Sequence, residues 1–420
     1  MKYSIIVPVF NRPDEVDELL ESLTRQTLKD FEVIIVEDGS KIPCKDVCAK
    51  YADILLLHYY YKDNSGPGQS RNYGAERAQG EWLIVLDSDV VLPDDYLRSV
   101  DERTEEIGRK DEKTEGFRRR DEGTENFRRR NEGTKSDENV HSSETSPSVH
   151  SSEEKPFVHS SENSQFVYSP EESPSVHSSE ESPFVAWGGP DAAHPSFTPI
   201  QKAISYSMTS FFTTGGIRGG KAKLDKFYPR SFNMGIRRDV YLQLGGFSKM
   251  RFGEDIDFSY RIVEAGYRPQ LIAEAWVWHK RRTDFRKFFR QVFNSGIARI
   301  NLEKRHPGTL KLVHLLPTVF TLGVIGLVLL SAVGRLLMYY CGNDQWRWLC
   351  LLPWVPILLY SLLIFVDSSL KNRSLQVGLL SIPAAFVQLM GYGLGFIKSW
   401  WKRCVLKQDE FTAFEKNFYK

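Results

Sequence analysis

Several absences narrow what this sequence can be. It has no excess of either charge: Lys and Arg number 55, Asp and Glu 54, and the net charge is +1. No basic field of the kind that holds nucleic acid is present, so no nucleic-acid partner is expected. The five cysteines, Cys44, Cys48, Cys341, Cys350 and Cys404, form no CxxC pair and share no metal-ligand spacing with histidine. They read as ordinary thiols of a reducing compartment. No lysine-rich glycine loop follows the first apolar run, where "FNRPDE" stands instead. That argues against a phosphoryl- or nucleotidyl-transferring enzyme built on a phosphate loop. The first run itself, "YSIIVPVF", follows a single basic residue and is too short for a secretion signal, so it is expected to be a strand.

A different absence marks residues 109–185, which carry almost no apolar side chains. A ten-residue period ("RRRDEGTENF" from Arg118, "RRRNEGTKSD" from Arg128) gives way to a nine-residue one beginning at Val140, Val149, Val158, Val167 and Val176. Units this short and polar cannot offset the entropy of ordering a chain, and solenoid repeats need 20 or more residues with an apolar face. The segment is read as a low-complexity insert with no chemistry assigned, projecting from a surface loop of a domain formed by 1–108 and 186–312.

What the sequence has in quantity lies at the other end. Three apolar runs, Leu312–Tyr340, Trp348–Val366 and Leu375–Ile397, each approach the ~20 residues that cross a bilayer, with Trp, Tyr and basic residues at their ends. Residues 313–397 are therefore expected to be a transmembrane region of two or three helices, and 398–420 a basic tail. Arg281, Arg282, Arg286, Lys287, Arg290, Arg299, Lys304, Arg305 and Lys311 precede the first run and place the N-terminal part in the cytoplasm. Three crossings then put the tail outside, yet Lys398, Lys402, Arg403 and Lys407 favour the inside. Either one run is re-entrant or the first bias prevails; the middle run, with Pro353 and Pro356, is the weakest spanner. Arg335 lies near a span's end, within snorkelling reach of the interface.

The soluble part alternates strand and helix. "YSIIVPVF" and "FEVIIVEDGS" read as buried parallel strands, "ADILLLHYYY" as a third strand and "EWLIVLDSDVVL" as a fourth. "RPDEVDELLESLTRQT" and "GPGQSRNYGAERAQG" read as helices between them. The result is an α/β sheet with carboxylates at its C-terminal strand ends, the edge at which such sheets bind ligands. Asp38 ends the second strand; Asp87 and Asp89, with Ser88 between, end the fourth. Like charges this close repel unless a cation joins them, and oxygen ligands suit Mg2+ or Mn2+. Arg71 opens the following helix and is a candidate for phosphate oxygens.

Further on, the Gly-rich "FTTGGIRGGKAKL" reads as a mobile loop over a ligand, and "RSFNMGIRRDVYLQLGGF" as the lead-in to a helix. "GEDIDFSYRIVEAGY" has helical period, with Phe258, Ile262 and Ala265 on one face and three carboxylates, Glu254, Asp255 and Asp257, in its first turn. There the helix dipole favours an ionised Asp255. "PQLIAEAWVWHKRR" reads as a strand ending in His279, a third metal ligand or a phosphate contact.

Taken in order, "SIIVPVFNR", "VEDGS", "DSD", "FNMGIRR" and "GGFSKMRFGEDIDFSYRI" resemble the inverting glycosyltransferases of family 2, with the GT-A fold, of the membrane-associated bacterial type. The resemblance covers about 1–100 and 186–300, with Glu37 where the family has a first aspartate. It implies a GT-A-like nucleotide-binding mixed sheet flanked by helices, followed by C-terminal transmembrane helices. It further implies a nucleotide-sugar donor, usually UDP-linked, walled by Pro8, Phe10 and Asn11 with Glu15 beside it, and read by Asp38. Arg71 is expected at the diphosphate, Asp87 and Ser88 at the ribose or metal side, and Asp89 on Mn2+ or Mg2+. Asp255 would deprotonate the acceptor hydroxyl and Glu254 place it. Processive members carry Gln-x-x-Arg-Trp after the base; "RQVFNSG" has Gln291 without the Arg-Trp pair, so limited transfer to a lipid-linked or surface-glycan precursor fits better than polymerisation. The expected location is the cytoplasmic membrane, multi-pass, in contact with lipid, with the catalytic part facing the cytoplasm. The alternatives are a processive synthase and a non-catalytic membrane scaffold.

Overall fold

The computed structural model describes residues 1–109, 184–194, 196–214, 227–250, 252–341 and 344–414. Nearly all of the repeat segment, and residues 215–226, which take in most of the Gly-rich stretch, lie outside the described residues. The chain divides into two compact units, Met1–Glu106 with Pro183–Lys420, and Ile107–Ser182. Everything below concerns the first.

Strand β1 (Tyr3–Val9) is buried on both faces because it is central, paired in parallel with β2 (Phe31–Asp38) on one side and β4 (Trp82–Leu86) on the other. Between β1 and β2 runs α1 (Pro13–Thr24), opened by Pro13, Asp14 and Glu15; its Val16, Leu19, Leu20 and Leu23 are buried at helical spacing. A short helix α2 (Lys45–Ala49) precedes edge strand β3 (Leu57–Lys62). The third strand is thus shorter than the apolar run predicts. Residues 51–55 form turns, and β3 is half-buried because it is paired on one side alone. Helix α3 (Pro67–Arg77) leads into β4, two-residue strand β5 (Val90–Val91) follows it, and α4 occupies 96–109.

The rest of the sheet comes from the second half. β6 (Ala186–Gly188) and, after it, β7 (Asp191–Ala192), α5 (Pro199–Thr209) and α6 (Phe211–Thr214) precede β8 (Asn233–Arg237) and α7 (Arg238–Gln243). "FNMGIRR" is therefore a strand, not merely an approach to a helix. Its residues 233–236 are buried because β8 sits between β4 and β6, antiparallel to both. With β9 (Gln270–Leu271) the main sheet has the order β3-β2-β1-β4-β8-β6-β9, a mixed sheet flanked by helices. A second sheet, β5-β10-β7, is built around β10 (Val277–His279).

Helix α8 (Glu254–Glu264) lies between β8 and β9 in sequence. Gly253 caps it at φ +85°, a left-handed conformation that glycine alone adopts without strain, and a Cβ there would meet Ala298 Cβ at 3.2 Å. Phe258 and Ile262 enter the core as expected; Ala265 does not, because the helix ends at Glu264 and that residue turns to the surface.

Helix α9 (Phe285–Arg305) leaves this domain. α10 (Leu316–Cys341), short α11 (Arg347–Leu351), α12 (Trp354–Asn372) and α13 (Leu375–Trp400) follow. Three stretches, Leu312–Cys341, Arg347–Asn372 and Leu375–Val405, are long and apolar enough to cross a membrane. They support a multi-pass membrane protein.

Candidate active site

The parallel strands open their C-terminal ends at one edge, and β2 and β4 deliver their carboxylates there. Asp38 is 4% exposed and tied to the β3–α3 loop: Lys62 Nζ donates to it, as do the backbone amides of Ser65 and Gly66, each at 2.9 Å. Glu37 points to the opposite face, as strand alternation requires, where it accepts from the Ser40 hydroxyl, the Cys44 amide at 2.7 Å and the Cys44 thiol at 2.9 Å. Glu37 thus serves the packing of α2. Asn11 adopts φ +55°; its Oδ1 accepts from the amides of Lys41 at 2.7 Å and Ile42 at 3.0 Å, stapling the β1–α1 loop to the loop after β2. Pro8 is half-buried at the end of β1, and Phe10 is on the surface beside it. Glu15 is held by Arg12 at 2.6 Å.

Asp87, Asp89 and His279 come together. One ligand atom from each lies within 4.8 Å of the others. The register of β10 on β5 pairs His279 with Val90, which sets its ring beside Asp89, and the Lys280 amide donates to the Asp89 carbonyl at 3.0 Å. Asp89 Oδ1 is 3.3 Å from His279 Nε2, while its Oδ2 faces Arg12 at 2.8 Å and Arg282 at 3.5 Å. Burial opposes ionisation of Asp89, but His279, Arg12 and Arg282 outweigh it and hold the carboxyl well below its ordinary range. Burial likewise disfavours a charged His279, yet Asp191 and Asp89 push its pKa up to about 9. Phe232 stacks on the imidazole at 5.0 Å. Ser88 is buried between the two aspartates.

These residues fit a divalent cation. Two carboxylates and an imidazole suit Mn2+, and the carboxylates suit Mg2+. The second imidazole nitrogen, Nδ1, is buried without a hydrogen bond and faces Asp191 Oδ2 at 3.7 Å, the carboxylate–imidazole arrangement that orients a metal-bound histidine. A cation and the proton on Nε2 compete for one lone pair, so loading the site and deprotonating His279 are linked.

Arg71 joins this cluster to the other half of the cleft. It is 3% exposed; one nitrogen donates to Asp87 at 2.7 Å and the other to Glu254 at 3.2 Å, with the Phe247 ring below at 5.2 Å. Helix α3 approaches α8 closely enough that a Cβ on Gly68 would touch Glu254 Cγ at 3.3 Å. The next carboxylate, Asp255, is paired with Arg230 at 2.6 Å and accepts from the Ile256 amide at 2.9 Å. Burial and the charge of Asp255 push Glu254 up to about 7, with Arg71 opposing. Asp255 is just as buried, but Arg230 and Arg71 draw it below its ordinary value. Asp257, the third acidic residue of "GEDID", turns away to His306 at 3.0 Å and Arg261 at 3.2 Å, clamping α8 to the end of α9.

So Arg71 ties the cluster of Asp87, Asp89 and His279 to Glu254 and its neighbour Asp255, while Asn11, Glu15 and Asp38 hold positions around the same sheet edge. Sequence reading missed Arg12, Asp191, Arg230, Phe232 and Arg282. None belongs to a periodic pattern, and each acts on a residue far away in the chain.

Residues 4–159 match the family model described as Glycosyl transferase family 2. Among curated relatives, an uncharacterized glycosyltransferase of Haemophilus influenzae is 46% identical over 86 residues, 20% of this chain and 29% of its own length. Validoxylamine A glucosyltransferase of Streptomyces hygroscopicus subsp. jinggangensis is 37% identical over 101 residues, 23% of this chain and 24% of its own. The chain spans 13% to 31% of the length of the curated relatives it matches. Among solved structures, a mannosyltransferase of Pyrobaculum calidifontis in complex with GDP-Man and Mn2+ aligns over 96% of this chain and 88% of its own at 12% identity, TM-score 0.46. S. aureus TarS 1-349 in complex with UDP-GlcNAc aligns over 98% and 93% at 14% identity, TM-score 0.39.

Proposed function

We propose that the protein is an inverting glycosyltransferase. It moves a hexose-type sugar from a nucleoside-diphosphate donor, UDP-linked, to a hydroxyl of a lipid-linked or surface-glycan precursor at the cytoplasmic face of the cell's inner membrane. The observation that carries this reading is the Arg71 bridge. One buried guanidinium holds a carboxylate of the metal cluster and a carboxylate of the α8 pair, so donor and acceptor chemistry face each other across a single side chain.

Asp87, Asp89 and His279 would hold Mn2+ or Mg2+, which when bound offsets charge on a diphosphate leaving group. Arg71 lies on the line between the two centres, placed to steady phosphate oxygens as the C1–oxygen bond breaks. Asp255 is the base. Kept ionised by Arg230, it accepts the acceptor's hydroxyl proton while the oxygen attacks C1 from the face opposite the departing diphosphate. Of that pair, Arg230 is the more exposed partner, 38% against 12%. Glu254, on the same helical turn, positions the acceptor. One displacement inverts C1, and no enzyme nucleophile is required. The missing Arg-Trp pair after Gln291, here on α9, supports limited transfer over polymer extrusion.

The test is a donor screen on detergent-solubilised protein with Mn2+ and a lipid extract, followed by proton NMR of the product's anomeric centre. Transfer with inversion is expected. Retention, or neither sugar release nor transfer with any donor, overturns the reading.

A further inference from the structure

Length and composition make α13 a third membrane crossing: its 26 residues rise about 39 Å. Its longest contact, along α9, argues against that. Helix α9 belongs to the catalytic side at both ends. Phe285 follows the metal-cluster residue His279 by a short loop, and at the far end His306 pairs with Asp257 at 3.0 Å and Glu264 at 2.7 Å. Arg286, Lys287, Arg290, Lys304 and Arg305 also keep α9 out of hydrocarbon.

Yet α13 runs alongside α9 for most of its length. Near its start, Leu380 and Phe285 pack on a common cluster of Ala203, Val377 and Ala384, which includes α5 of the catalytic domain. In the middle, a Cβ on Gly391 would meet Val292 at 2.6 Å. Near the end, one on Gly395 would meet the Phe293 carbonyl at 2.0 Å, and one on Gly296 the Tyr392 carbonyl at 2.1 Å. The Ser399 hydroxyl donates to the Ile297 carbonyl at 3.1 Å. Small residues let the two backbones touch. Beyond α13, Ala413 packs on Ile297 and Glu410 pairs with Arg305 at 3.1 Å, so the tail also returns to α9.

Helix α10 meets α13 in its first two turns, where Thr321 Oγ1 reaches the Leu389 carbonyl at 3.4 Å and Phe320 meets Phe386 at 5.7 Å. Further along α10, Val328, Leu329, Val333 and Leu336 are exposed. In the most apolar window, 44% of α13 is buried within the protein, against 11% for the stretch containing α10 and 17% for that containing α12. The two weakly covered helices need lipid around them; α13 does not need it on all sides. What α13 leaves uncovered is a stripe: Leu375, Leu379, Pro383, Met390 and Leu394 are exposed or half-buried at helical spacing, continued by exposed Trp401 just beyond the helix and flanked by Arg373 at one end and Lys398, Lys402 and Arg403 at the other.

We propose that α13 does not cross the bilayer. It lies along the bilayer surface beneath the catalytic domain, its apolar stripe sunk into the headgroup–acyl boundary, and only α10 and α11–α12 cross. The tail then shares the side of the active-site cleft, and the basic residues before α10 and after α13 face the same leaflet, which removes the charge conflict seen in the sequence.

The inference rests on the membrane reading of α10 and α12, and sidedness labelling separates the two. The probe is a membrane-impermeant maleimide applied to full-length protein in sealed vesicles. Lys41→Cys (with Cys341→Ser and Cys404→Ser) marks the catalytic side, Cys341 alone (with Cys404→Ser) marks the far end of α10, and Lys407→Cys (with Cys341→Ser and Cys404→Ser) marks the tail. Lys41→Cys and Lys407→Cys labelling together, with Cys341 opposite, is expected. Lys407→Cys labelling with Cys341 overturns the surface helix alone. All three on one side overturns the membrane hairpin as well. A nitroxide at Met390 reports depth: a position about 5–10 Å below the headgroups is expected, and one at the bilayer midplane overturns the proposal even if the tail labels as predicted.

Discussion

The two acidic centres of the cleft hang from the same arginine and are built in opposite ways. At the Asp87 end, groups from three distant segments converge, and the local balance is set by cations and an imidazole crowding one buried carboxylate, Asp89. At the other end Glu254 and Asp255 are neighbours in the chain, equally buried, and pushed in opposite directions: one up to about 7, the other below its ordinary value. The difference is Arg230, which pairs with Asp255 at 2.6 Å, while Glu254 has Arg71 at 3.2 Å against burial and the charge beside it. Adjacency in sequence therefore says little about protonation. The first centre suits an ion; the second sets an ionised carboxylate beside one that binds its proton more tightly.

The largest expected effect isolates the second centre. Asp255→Asn should lower transfer by about 10²–10⁴-fold while donor affinity, read by calorimetry, stays within a few-fold. A comparable loss of donor binding would erase the distinction between the centres. Arg71→Met cuts the bridge between them. It leaves Glu254 buried without its cation and should cost about 3 kcal/mol in thermal or denaturant unfolding. Arg71→Lys should not restore activity, because a point charge cannot fork to two carboxylates.

A pH titration sharpens the contrast within the pair. Because Glu254 binds its proton more tightly folded than unfolded, the protein should lose stability as pH rises from about 4.5 to about 7 and no further from this group above that. The size is on the order of 3 kcal/mol. Glu254→Gln should flatten that slope in melting curves, and an unchanged slope would refute the assignment. The smallest effect belongs to the first centre: Asp89→Ala should weaken donor binding about 10–100-fold in Mn2+ and little in EDTA, measured by titration in both. Equal loss in EDTA would mean that Asp89 acts without a cation.

Much of the fold was legible before any coordinates. The continuous apolar runs of β1 and β2, the helical period of α1 behind Pro13 and the acidic strand ends follow from local rules, and Asp38, Asp87 and Asp89 were named from them. Where reading failed, the cause was length or distance. Two- and three-residue strands such as β6, β7 and β9 have no period to detect, yet β10 and β5 decide where His279 points. Arg12 and Arg230 are polar residues in turns with no local signature; they matter because folding sets them against Asp89 and Asp255.

The sequence by itself determined an α/β sheet with carboxylates at one edge, an acidic helix start and three runs apolar enough for a membrane, because each follows from the spacing of side chains along a few turns of chain. The tertiary structure alone decided which carboxylate of the α8 pair binds its proton more tightly, that one guanidinium spans the two centres, and that the third apolar run is bound along α9. These are properties of through-space neighbours, and hydrophobicity and charge act between neighbours whatever their separation in sequence.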